Sequence, residues 1–139
     1  MIQIIAGAKG KGKTKILLDK VNTSIKEASG TIVYLDKNTK HMYELNNKIR
    51  LINVKDYCID SSHEFTGFIC GLVSQDHDLE KVYFDSFLNI SNSEDSDITA
   101  LLEKLDLISA KFSVDFVLSI SLNADEIPDK FKENVIVAL

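Results

Sequence analysis

One short segment constrains this chain more than anything else in it. Gly7-Ala8-Lys9-Gly10-Lys11-Gly12-Lys13-Thr14 fits the pattern G-x-x-x-x-G-K-[ST]. Glycines at these places let the backbone curl until successive N–H groups turn inward on a single anion. A helix that begins at the loop adds its own free N–H groups and the positive end of its dipole. Such a loop needs an apolar strand before it and an amphipathic helix after it. Ile2–Ala6 is apolar, and Leu17, Leu18, Val21 and Ile25 recur at helical spacing beyond the loop. The expected ligand is the phosphate chain of a nucleotide. Gly7, Ala8, Lys9, Gly10, Lys11, Gly12, Lys13, Thr14 and Lys15 are the candidate binding residues. Lys13 is expected to reach the β- and γ-phosphates and to serve catalysis by neutralising their charge. The Thr14 hydroxyl is expected to ligate Mg²⁺. Lys9 and Lys11 read mainly as added positive charge.

Short apolar runs alternate with helix-period segments along the rest of the chain, which predicts α/β architecture with a mostly parallel sheet. Strands are expected at 2–6, 31–35, 50–54, 81–85, 114–121 and 135–139. Helices are expected at 14–28, 61–73 and 97–111, with a short one at 41–47. Gly30 is placed to end the first helix. Ser61 and Glu64 have the spacing of a capping box at the start of the second. Pro128 is expected near the start of one helical turn. The 139 residues are expected to form a single domain, 1–139.

A loop that binds nucleotide phosphates with Mg²⁺ needs an acid to hold the metal. Lys81-Val82-Tyr83-Phe84-Asp85 is an apolar strand ending in aspartate, so Asp85 is the second expected Mg²⁺ ligand with Thr14. Ser86 follows it, where many ATPases carry a water-activating glutamate. Other phosphate-loop families put the base at the end of a neighbouring strand. Here that strand ends at Asp36, which is the candidate base; a turn residue or helix cap is the competing reading. Ser119 and Ser121 lie near the end of the 114–121 strand, with Asn123 just beyond it, either as γ-phosphate sensors or as an ordinary surface strand end. In a parallel sheet all these groups gather at the carboxyl edge, where α/β folds bind ligands.

Composition narrows the partners. Net charge is −5, and Arg50 is the only arginine, so attraction to nucleic acid or to an anionic membrane is not indicated. No run approaches the ~20 apolar residues that span a bilayer, and no secretory leader is recognisable. Cys58 and Cys70 have neither metal-clamp nor redox spacing; both are expected reduced and buried, which fits a cytoplasmic protein. His41, His63 and His77 show no ligand spacing in sequence. Residues 91–97 are polar and acidic, a plain connection or a cover over the nucleotide. Tyr83, Phe84 and Phe87 read as core.

With the loop at Gly7 to Thr14, Tyr34-Leu35-Asp36 and Tyr83-Phe84-Asp85-Ser86 described, the chain resembles RecA-like P-loop ATPases. It also resembles small bacterial ATP-binding proteins, some labelled twitching motility protein PilT. The features that suggest the second group are Met1 to Gly7, Tyr34 to Lys37, His41-Met42, Ile49 to Asn53 and Gly67 to Gly71. The resemblance implies a three-layer P-loop NTPase fold with helices on both faces and a RecA-like strand order. It implies ATP, rather than GTP, as the nucleotide. Departures from the pattern matter too. The septum-positioning and chromosome-partitioning ATPases carry an extra lysine where this chain has Ala8. RecA recombinases place a glutamate where it has Asn38. PilT motors complete their site with arginines that it lacks.

The expected function is therefore an ATP–Mg²⁺ binding protein with weak or partner-stimulated ATPase activity, a switch or an assembly component. A protein partner or a second copy would supply a missing arginine in trans. A P-loop kinase of small molecules or nucleotides is one alternative, although such enzymes clamp their substrates with several arginines. A nucleotide-binding module that does not hydrolyse is the other.

Overall fold

Along each central strand alternate residues face opposite sides, and both sides are buried. Ile2, Ile4 and Ala6 pack into one core layer, while Ile5 packs into the other. Val33 and Leu35 oppose Ile32 and Tyr34, Val82 and Phe84 oppose Tyr83, and Phe116 and Leu118 oppose Val117 in the same way. Strands buried on both faces belong to sheets covered by helices, which favours parallel pairing through helical crossovers.

The computed structural model describes residues Met1–Leu139. It contains β1 (Ile2–Ala6), α1 (Lys13–Ser24), β2 (Thr31–Asp36), β3 (Arg50–Asn53) and α2 (Ser62–Ser74). These are followed by β4 (Leu79–Phe84), α3 (Phe87–Ile90), α4 (Thr99–Phe112), β5 (Asp115–Ile120) and β6 (Val135–Ala138). The strands form one six-stranded sheet in the order β3-β2-β4-β5-β1-β6. Every pairing is parallel. The larger core layer lies under α2 and α4 and contains Phe65, Phe84, Phe87 and Phe116 in edge-to-face contact. The smaller layer lies under α1. No helix is long and apolar enough to cross a membrane.

Several elements differ from their sequence-based expectation. The first helix ends at Ser24 rather than at residue 28, because Lys26 and Glu27 bond three residues back, to Thr23 and Ser24. Gly30 is therefore not its cap. A Cβ there would stand 2.0 Å from the Asp78 carbonyl oxygen, so glycine is required by the close approach of two backbones. The region 41–47 contains one 3₁₀ turn, Met42–Glu44. Cys58 and Cys70 are exposed free thiols, not buried ones. Cys70 follows Ile69 on α2 and falls on the outer face, opposite buried Phe65, Ile69 and Val73.

The start of α2 matches expectation in part. Ser61 Oγ accepts from the Glu64 amide at 3.1 Å, whereas the Glu64 carboxylate accepts from Asp60 rather than from Ser61. Loss of one N-cap acceptor costs about 1 kcal/mol. Ser61→Ala is expected to lower stability to urea by that amount, and an unchanged midpoint would show the cap to be idle.

Candidate nucleotide site

The loop from Gly7 to Thr14 is shaped by chain geometry. After β1, Gly10 and Gly12 take φ of +82° and +92°, the left-handed region that side chains avoid. Gly12 stands at the N-cap of α1, so the helix axis begins at the loop. None of the main-chain N–H groups of Ala8 to Thr14 donates to another group of the protein. A row of free amides ahead of a 12-residue helix is the kind of arrangement from which anion sites are made. Lys13 is only 6% exposed, and its Nζ donates to the Ala8 carbonyl at 3.0 Å. Burial lowers the Lys13 pKa, against the opposing pull of Asp85, with Lys9 lowering it further. An anion in the loop would favour the charged ammonium.

Across from the loop, Asp85 follows β4 and its amide donates to Leu35 O at 2.9 Å. Its carboxylate is 2% exposed. Thr14 Oγ1 donates to Oδ1 at 3.1 Å, and Tyr34 donates to Oδ2 at 2.8 Å. Ser119 Oγ lies 3.5 Å from Oδ1. The two expected Mg²⁺ ligands, 71 positions apart in sequence, are thus directly hydrogen-bonded. Burial, reinforced by Asp85, pushes the Tyr34 hydroxyl far above its ordinary pKa and keeps it a donor. Ser86, next in the chain, has a left-handed φ of 53°. A non-glycine residue held there stores strain of about 1–3 kcal/mol, a feature that concentrates at functional sites.

These groups border a cleft of about 590 Å³ lined by Lys9, Gly10, Gly12, Lys13 and Thr14 from the loop. Lys37, Asp85, Ser86, Ser119 and Ser121 line its floor and wall. The volume lies within the range of small-molecule sites, about 300–1,000 Å³. Gly7, Ala8, Lys11 and Lys15 do not line it. A Cβ on Gly7 would stand 2.9 Å from Leu139, so this glycine accommodates the end of β6. Asn123 is also away from the cleft and pairs its amide with Glu126 at 3.0 Å. Residues 91–97 are more than a plain connection: Glu94, Asp95 and Ser96 form part of the cleft wall. The segment is anchored by buried Ser91 and Ser93, which bond to each other, and by Asn92 Nδ2 to Ile59 O at 2.9 Å.

Asp36 ends β2, 2% exposed, and is not part of the cleft lining. Its Oδ1 accepts from the Lys37 amide at 2.7 Å, while Oδ2 has no partner. Burial, with the nearby Asp85 charge second, raises its pKa to about 6. His41, which its sequence spacing did not single out, approaches both acids. A ring nitrogen of His41 and carboxylate oxygens of Asp36 and Asp85 lie within 4.8 Å of one another. Arg50 is at the other end of the sheet, paired with Asp76 at 3.5 Å.

No protein-family model matches this chain, and no curated protein matches it in sequence. Among solved structures it is similar to the flagellar accessory protein FlaH from Methanocaldococcus jannaschii, with 14% identity and a TM-score of 0.57. The similarity covers 93% of this chain and 63% of that one, so this chain spans less than two thirds of its neighbour's length. At that identity the likeness is one of fold.

Proposed function

We propose that this chain binds ATP with Mg²⁺ and hydrolyses it weakly, or only when a partner completes the site. It would act as a nucleotide-dependent switch or an assembly component. The row of free amides from Ala8 to Thr14, closed by buried Lys13, carries the reading. Thr14 and Asp85 would hold Mg²⁺, and Lys13 would neutralise the β- and γ-phosphates. The strand order, with β5 between β1 and β4, supports the RecA-like assignment. The likeness to FlaH supports it only at the level of fold.

The weakness of hydrolysis follows from what surrounds the γ-phosphate position. Ser86 stands where a glutamate would activate water, and Asp36 lies behind the cleft surface. The one arginine is engaged at the opposite sheet edge. An arginine supplied in trans by a partner or second copy would be worth about 10³–10⁵ in rate. The same features favour, as a second reading, a nucleotide-binding module that does not turn over. The position of Arg50 argues against a kinase that clamps two substrates.

The test is a calorimetric ATP titration with and without Mg²⁺, followed by a turnover assay on the same sample. One ATP is expected per chain, bound more tightly with Mg²⁺. Thr14→Ala is expected to remove about tenfold of that Mg²⁺ dependence, the worth of one charge-assisted contact. Absence of nucleotide binding, or a Mg²⁺ effect that survives Thr14→Ala unchanged, would count against the reading. Turnover that vanishes in Lys13→Ala would exclude the non-hydrolysing version.

A further inference from the structure

The carboxyl edge of β2 brings together a donor set of which the ATP–Mg²⁺ reading uses only Asp85 as a metal ligand. Asp36 and His41 come from β2 and the turn after it, and Asp85 comes from the end of neighbouring β4. Their ligand atoms lie within 4.8 Å of one another. Two carboxylates at this distance repel, and both residues are only 2% exposed. Asp36 is committed on one side only: Oδ1 accepts from the Lys37 amide, and buried Oδ2 has no hydrogen-bond partner at all. A buried carboxylate oxygen without a partner is costly unless a ligand satisfies it.

The histidine supplies the third side. His41 Nδ1 lies 3.0 Å from Glu44 Oε1, one 3₁₀ turn further on. That contact engages Nδ1 and leaves Nε2 as the nitrogen free to ligate. Metal-binding histidines characteristically give their other ring nitrogen to a carboxylate in this manner, which orients the ring and raises its basicity. Two carboxylates and one imidazole form a mixed O₂N set. Such a set suits Mn²⁺, Fe²⁺, Co²⁺ or Zn²⁺, whereas Mg²⁺ and Ca²⁺ favour oxygen alone.

We propose that Asp36, His41 and Asp85 form a binding site for a divalent transition-metal ion, with Glu44 as the residue that positions His41. The ion lies on the β2 side of Asp85, while Thr14 approaches that carboxylate from the phosphate loop. It balances the charge of the two buried acids. It also ties the turn after β2 to the end of β4. Because Asp85 faces both places, occupancy of the site bears on the loop's own metal without depending on nucleotide. The proposal goes beyond the ATP–Mg²⁺ reading and does not need it.

Mn²⁺ is the probe of choice, because it discriminates against the exposed thiols of Cys58 and Cys70. The measurement is Mn²⁺ binding to the nucleotide-free chain by electron paramagnetic resonance, with broadening of the His41 ring signals read by NMR. One Mn²⁺ per chain is expected, with His41 broadened before His63 and His77. His41→Ala is expected to weaken binding at least tenfold and Glu44→Gln by about tenfold, in line with outer-shell effects of about 10–100-fold. Circular dichroism and an ATP titration of His41→Ala report whether the fold and the phosphate loop are intact. Lys13→Ala removes a cation drawn to Asp85 and is expected to bind Mn²⁺ at least as tightly as the parent. Absence of Mn²⁺ binding, or equal affinity in a folded His41→Ala chain, overturns the proposal. Either result would leave the ATP–Mg²⁺ reading to stand or fall on its own titration.

Discussion

Lys13→Ala is expected to raise the dissociation constant for ATP–Mg²⁺ by about 10²-fold or more. The reason is the position of the ammonium. Lys13 is buried at the first turn of α1 and held against the Ala8 carbonyl, inside the curl of the loop. A charge-assisted hydrogen bond is worth about 1.5–3 kcal/mol, and each 1.4 kcal/mol is tenfold in affinity. Two phosphate oxygens would share this one cation. Surface lysines make a built-in comparison. Lys11 and Lys15 are exposed and away from the cleft, so alanine at either position is expected to change affinity no more than about threefold, the scale of an exposed charge. Isothermal titration calorimetry of the three variants separates the cases. If Lys13→Ala bound ATP as well as Lys11→Ala, the phosphate-loop assignment would fail.

Asp36→Asn is expected to stabilise the ligand-free chain at neutral pH by about 2–3 kcal/mol, a rise in melting temperature of roughly 5–10 °C. The pKa of Asp36 is raised from 3.8 to about 6 in the folded state, first by burial and then by Asp85. Between those two values the folded chain holds a proton that the unfolded chain has released. Stability therefore falls as pH rises from about 4 to about 6, and the full penalty stands at pH 7. Asparagine removes the charge, keeps an oxygen for the Lys37 amide, and offers an N–H₂ to Asp85. The variant should thus lose the pH 4–6 slope that the parent shows in thermal melts. A destabilised Asp36→Asn chain, or an unaltered slope, would mean that this acid is not held ionised at a cost. The parent's penalty is of the kind that functional sites retain in exchange for activity. Mn²⁺ would relieve the same penalty, so it should stabilise the parent more than the variant.

Much of the fold was legible because its signals are local. The six strands fall where apolar residues run together, and the four central ones, buried on both faces, need little else. The loop was legible for the same kind of reason. Gly10 and Gly12 answer a backbone demand set within a few residues, and Lys13 and Thr14 follow at fixed positions on the first helical turn. Errors arose where a distant segment decided the matter. Gly30 has the look of a helix cap, but the Asp78 carbonyl, brought alongside by β4, is what excludes a side chain. The acidic segment 91–97 resembles a plain connection until buried Ser91 and Ser93 fix it against the cleft. Cys70 is of a residue type that favours the interior, but the rotation of α2 places it outside.

By itself, then, the order of residues determined the α/β character, the places of the strands and the glycine-rich curl before α1. Each depends on torsional preference or on alternation over a few neighbouring positions. The tertiary structure alone decided that Asp85 meets Thr14, that Asp36 is buried with one oxygen unmatched, and that His41 joins the two acids. Those meetings depend on which strands lie side by side and in what register. That choice is made by burying the sheet's two faces as a whole, and no window of sequence contains it.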